Sequence, residues 1–319
     1  MSAAPAELLE RKLLFVTGKG GVGKTTVASS LALLSAQRGK RTLVCEVDAK
    51  GNLSDFFGVG PLEFDPGEVS DGLYAMSMNT EESLKEYLRI QLKVPLLARI
   101  GVLARTFDFV ANAAPGVKEI LTVGKLAYEV KEEHYDLVVV DSSATGHIVG
   151  QLSAPVAINE LVHVGIVRQQ TDWMIEILED PQLTGVVIVA APEEMPVTET
   201  IELAGRLGTE TNIDLGAVII NRVLPELFHR GEEEVFQRLR QPDVAEALSG
   251  KLGGSVGPVL DAAELAVTLR RGRAGHLAKL RDGLPPQIPV LYVPYLFTRS
   301  HTIRATRRIA EHLAEELGY

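Results

Sequence analysis

The stretch Phe15-Val16-Thr17-Gly18-Lys19-Gly20-Gly21-Val22-Gly23-Lys24-Thr25-Thr26 constrains this chain more than any other. Leu13 to Thr17 reads as a short buried strand, and Thr26 to Gln37 as a helix built on Ala, Leu and Ser. Between them lies a loop of the form G-x-x-x-x-G-K-[ST]. Glycines 18, 20, 21 and 23 clear the backbone N–H groups of side-chain obstruction, so that they point inward at phosphate oxygens. The following helix N-terminus adds about half a positive charge at the same spot. Lys24 is placed to neutralise the β- and γ-phosphates, and the Thr25 hydroxyl to hold Mg²⁺, with Val22 and Thr26 completing the loop. Strand, loop and helix come in the required order, which implies a nucleoside triphosphate site, and seven strand-like segments alternating with helices along the chain give a doubly wound, mainly parallel α/β sheet with an inserted helical subdomain.

Composition narrows the field. The 319 residues suffice for a large core, and 46% of them are hydrophobic. Mean hydropathy is slightly positive at +0.12, yet no apolar run reaches the roughly 18 residues of a membrane span. Met1 to Glu10 lacks the shape of a signal peptide, so a cytoplasmic location is expected. A net charge of −10 argues against a nucleic-acid surface. Cys45 is the single cysteine and sits in a strand-like run, which fits a buried, inert thiol.

Lys19 is not needed to cradle phosphate within one subunit. The loop G-K-G-G-V-G-K-T-T resembles the deviant-loop branch of P-loop ATPases, which includes partitioning ATPases, the nitrogenase iron protein and the arsenical-pump/tail-anchored-protein-targeting ATPases. In that branch the extra lysine reaches across a dimer interface to the partner's nucleotide. The resemblance therefore implies ATP at the seam of a dimer, with Lys19, Lys24 and Asp48 as catalytic residues.

Further segments resemble the arsenical-pump/tail-anchored-targeting family in particular. Arg41 to Val47 reads as a strand ending at Asp48, followed by Asp48-Ala49-Lys50-Gly51-Asn52-Leu53-Ser54-Asp55-Phe56-Phe57. The family's first switch reads D-P-A-H-N-L-S-D-A-F, in which the aspartate orients the attacking water. Asp48 taken by itself also suits a turn or a helix cap. Ala49 replaces proline and Gly51 replaces histidine, changes that loosen the loop. Asp136 to Val140 reads as a strand running into Asp141, a position suited to supporting the Mg²⁺ shell through water. Asp141-Ser142-Ser143-Ala144-Thr145-Gly146-His147 resembles the second switch, D-T-A-P-T-G-H, with Ala144 in place of proline. Gln151 to Pro155 continues the match. Ala191 to Thr200 resembles the family's P-E-x-x-x-x-x-E-T connection into a helix. The resemblance places Asn221 and Pro294 beside the adenine.

Leu73 to Asn79, Val186 to Ala190, Gly216 to Ile220 and Val290 to Val293 complete the expected strands, and His301 to Leu317 closes the chain as an amphipathic helix. The expected organisation is one P-loop ATPase domain over residues 1–319, with a helical subdomain drawn from about 80–130 and 225–285. Val94 to Leu103 is unusually apolar. Such a stripe is commonly ordinary core, and in the resembled family this region holds a client's hydrophobic helix. The function implied is a Mg²⁺-dependent ATPase working as a nucleotide-gated homodimer, or with a paralogous subunit, on hydrophobic client helices. One cysteine per chain leaves no expected arsenic or iron–sulfur site. The altered switch residues admit a subunit with weak hydrolysis of its own. Arg304, Arg307 and Arg308 admit a partitioning or positioning ATPase with a basic terminal helix.

Overall fold

Alternation decides the layering. In β1 (Leu13–Gly18) Leu13 and Phe15 enter one hydrophobic core while Leu14 and Val16 enter another. A strand that is apolar on both faces has to lie inside a sheet covered on both sides. The computed structural model describes residues 5–47, 52–92, 116–229, 231–297 and 302–319. Among these, β1 joins β2 (Thr42–Glu46), β3 (Gly67–Ser70), β4 (Leu73–Ser77), β5 (Leu137–Ala144), β6 (Thr184–Ala190), β7 (Leu215–Val223) and β8 (Val290–Pro294). They form one eight-stranded sheet of order β3-β4-β2-β5-β1-β6-β7-β8. Every pairing is parallel except β3 with β4. The expected α/β class is what the chain adopts.

One face of the sheet is covered by α1 (Lys24–Gln37), the short α2 (Asn52–Phe57) and α11 (Ile303–Leu317). The other carries α4 (Val117–Lys131), α5 (Thr145–Leu161), α6 (Ile166–Glu179) and α7 (Glu194–Glu210). In α11, Thr306, Ile309, Ala310, Leu313 and Leu317 recur at helical spacing and are all buried. The helix lies along α1, where Ser30 Oγ donates to the Thr306 carbonyl at 3.2 Å. The apolar face of this terminal helix is thus spent within the core.

The remaining helices lie mostly in solvent. α8 (Glu232–Leu239) buries Phe236, α9 (Pro242–Leu252) buries no residue, and the long α10 (Gly257–Gly283) buries Leu280. Ion pairs Arg271–Glu233 and Arg240–Glu264 tie α8 and its C-terminal end to α10. The helical path is interrupted between α9 and α10, where Gly253 caps α9 at φ +70°. α3 (Thr80–Leu92) packs on α4, where Lys125 Nζ meets Glu86 Oε1 at 2.8 Å and Glu129 Oε1 at 2.7 Å.

β3 was not expected. It has four residues, two of them exposed and two half-buried, and Val69 is its one large apolar side chain, so no apolar alternation announces it. The Asp71-Gly72 pair between β3 and β4, with Gly72 at φ +68°, is the available signal, since Asp-Gly favours a two-residue hairpin turn. β5 also continues past Val140 to Ala144, which sets Asp141 inside the strand. Asp48, Ala49 and Gly51 and the apolar stretch 94–103 lie outside the described residues. Among the described residues no helix is long and apolar enough to cross a membrane.

Two outcomes follow from the packing. Cys45 is fully buried in β2, and burial pushes its thiol far above the ordinary range, opposed only in part by the Lys125 charge. The native protein is expected to leave a thiol-reactive dye untouched at pH 8 and to react on unfolding in urea; reaction on mixing would contradict this burial. Lys125→Met removes the ammonium shared by Glu86 and the buried Glu129, and leaves Glu129 its contact with His134 Nδ1 at 2.7 Å. A loss of about 3 kcal/mol is expected in urea unfolding.

Candidate active site

Parallel pairing brings the carboxyl ends of β1, β5, β6, β7 and β8 to one edge of the sheet. The chain turns from β1 into α1 there, between strands that lead off to opposite sides, the position where doubly wound sheets bind ligands. Gly18 adopts φ +149°, and a Cβ on it would stand 2.2 Å from the Val189 carbonyl oxygen. Glycine at this position is a requirement of the β1–β6 pairing. Gly23, at φ +97°, opens α1, and a Cβ there would meet Asn221 Nδ2 at 2.3 Å.

The buried Asn221 reaches back from β7 and donates from Nδ2 to the Val22 carbonyl at 2.9 Å, while its Oδ1 accepts from the Arg222 N–H at 2.9 Å. Asn221 therefore props the loop from beneath, a role that the sequence did not suggest. Pro294 ends β8 beside Val223 of β7, so Asn221 and Pro294 occupy neighbouring strand ends. Just past Pro294, the exposed rings of Tyr295 and Phe297 meet edge to face at 4.9 Å.

At the other side of the loop, Thr25 Oγ1 donates to Asp141 Oδ2 at 2.6 Å. Hydroxyl and carboxylate thus converge at the first turn of α1, a pair of hard oxygen donors of the kind that Mg²⁺ prefers. Asp141 is in register with Glu46 on β2, and both are buried. Thr17 Oγ1 donates to the Ser143 carbonyl at 3.0 Å, fastening the stretch after Asp141 to β1. Ala144 ends β5 with φ −64°, the value that proline would impose. The alanine therefore keeps the backbone angle that a proline would have at this position. Thr145, Gly146 and His147 form the first turn of α5, with His147 exposed.

Lys24 is the first residue of α1. Lys19 is half-buried and pairs with Glu199 of α7, whose second oxygen accepts from Thr145 Oγ1 at 3.1 Å. Sequence reading noted Glu199 only as a letter in the E-T pair at residues 199 and 200. Asp48 cannot be placed, as it lies outside the described residues.

A family model described as anion-transporting ATPase matches residues 11–174 and 163–244. The chain belongs to this family. ATPase BagA of Mycobacterium tuberculosis is 29% identical over 259 residues, covering 78% of this chain and 72% of the relative. A protein named as an arsenical pump-driving ATPase in Halobacterium salinarum is 29% identical, over 75% of this chain and 40% of its own length. The ATPase ASNA1 homolog of Entamoeba dispar is 26% identical, over 70% of this chain and 82% of that protein. This member of the anion-transporting ATPase family is an ATPase.

Asn221→Ala tests the prop under that loop. It leaves the Val22 carbonyl, on a residue that is itself buried, without its donor. A loss of about 1–3 kcal/mol in urea unfolding is expected, together with weaker nucleotide binding by fluorescence titration. Unchanged stability would mean that water replaces the amide.

Proposed function

We propose that this ATPase works as a nucleotide-gated dimer that binds and releases an apolar segment of a client protein. The observation that carries the reading is the pairing of a phosphate loop bearing Lys19 with a helical layer that leaves apolar surface uncovered. On α9 and α10, Leu252, Val259, Leu265 and Leu269 are all exposed. Between α3, α4 and α6 lies a cavity of about 240 Å³ lined by Leu84, Tyr87, Ile120, Leu121, Trp173 and Met174. Similarity to the ASNA1 homologs, which align over most of their length, supports the same reading. The helical subdomain drawn from residues 80–130 and 225–285 is the part assigned to the client.

In this reading the backbone of Gly18 to Gly23 surrounds the phosphates and Lys24 neutralises them. Thr25 and Asp141 would hold Mg²⁺, Asp141 through water, and when bound the ion would supply neutralisation of phosphate charge. Asp48 positions the attacking water. Lys19 serves the nucleotide of the opposite subunit. Asn221 keeps one N–H for the adenine while the other holds Val22, and Pro294 closes the same side. In-line attack on the γ-phosphate needs little beyond this placement and charge.

A positioning ATPase with a basic terminal helix fits less well. Arg304, Arg307 and Arg308 are exposed, but the apolar face of α11 is already buried against α1. Membrane docking by that helix would require it to leave the core.

Steady-state ATP turnover, measured for the protein alone and for Asp48→Asn, is the deciding experiment. A fall of about 100-fold or more in the variant is expected, with a mass in sedimentation that doubles on adding Mg²⁺ and a non-hydrolysable ATP analogue. Nucleotide binding without turnover in either protein would instead favour a half that needs a paralogous partner. A mass that never changes would remove the gated dimer.

A further inference from the structure

The Glu199 carboxylate joins two parts of the site. One oxygen pairs with Lys19 Nζ from the loop after β1. The other accepts from Thr145 Oγ1, the first residue of α5 after β5. The side chains of Lys19 and Glu199 are 30% and 26% exposed, so the pair is neither sealed away nor fully solvated. A pair this exposed adds little net stability and exchanges readily. Behind Glu199, α7 is fastened to α10: Lys279 Nζ donates to Thr198 Oγ1 at 3.0 Å, and Gly283 sits against Ile201. The carboxylate therefore stands on a helix held from its far side.

We propose that Glu199 is a positioning residue for ATP turnover, holding Lys19 by charge and Thr145 by hydrogen bond while competing with the triphosphate for Lys19. The proposal rests on the reading that Lys19 serves a nucleotide. A lysine ammonium is a compact point charge on a flexible stem and can change partners without backbone movement. Phosphate oxygens carry more negative charge than one carboxylate and draw Lys19 away. Glu199 is then left with Thr145 alone, so loss of one partner is felt at the start of α5, directly after the Asp141 strand. Glu199 touches no reacting atom; it sets where Lys19 rests and how strongly it must be drawn.

Glu199→Gln removes the charge and keeps an acceptor for Thr145, so the two functions separate. Binding of a fluorescent ATP analogue with Mg²⁺ is expected to tighten roughly two- to fivefold, the scale of a partly exposed ion pair, with KM for ATP falling and kcat not rising. Glu199→Asp keeps the charge and is expected to bind with wild-type affinity. The decisive arm is Lys19→Met, in which Glu199→Gln is expected to change nothing further. An equal gain in the Lys19→Met background, or wild-type affinity in Glu199→Gln with an unaltered urea midpoint, overturns the proposal. Wild-type turnover by Lys19→Met alone removes the underlying reading of Lys19, a result distinct from either of those.

Discussion

Every functional element depends on β1 being hydrogen-bonded on both sides. Its pairing with β5 and β6 leaves no room beside Gly18 for a side chain and launches the loop from the middle of the sheet. From there the loop lies within reach of side chains on β5, β7, α5 and α7. Thr25 finds Asp141, Val22 finds Asn221, and Lys19 finds Glu199 only because three parallel strands end at one level. A loop of the same sequence at a sheet edge would keep its glycines and lose these supports.

What could be read from the letters follows the range of the physics. Strands with apolar residues on both faces, such as Leu13 to Val16 and Val186 to Ala190, carry their burial in their composition. The phosphate loop is legible because its glycine requirement is local, at Gly23 through its own backbone angle. β3 was missed because an exposed edge strand needs no apolar pattern, and Glu68 and Ser70 resemble a loop. The supporting polar contacts were missed for a different reason. Asn221 could be assigned a role toward adenine by resemblance, but its hold on Val22 depends on how β7 lies under the loop. Glu199 was one acid among many until α7 turned it toward Lys19.

Charge is distributed unevenly through the molecule. On α4, Lys125 and Glu129 pair while both are buried, and the partly exposed Glu86 of α3 shares the same ammonium, which makes the group costly to break and specific in geometry. In the Lys19–Glu199 pair both partners are partly exposed. The scaffold pair is thus buried, and the pair beside the loop is open enough to exchange. α9 and α10 are looser still, with few buried side chains and ion pairs at their margins.

The supports of the loop also span the chain. Thr25 and Asp141 are 116 residues apart, Thr17 and Ser143 are 126 apart, and Val22 and Asn221 are 199 apart. Contacts this distant add a closure cost that local helices and hairpins do not carry, and they raise the contact order of the fold. The phosphate loop therefore has its full set of supports only when strands distant in sequence are in place, although the loop itself lies near the start of the sequence. A folding intermediate with most of its helices in place would still lack a nucleotide site until β7 seats beneath the loop. Bound nucleotide would then stabilise the finished sheet over every such intermediate by mass action.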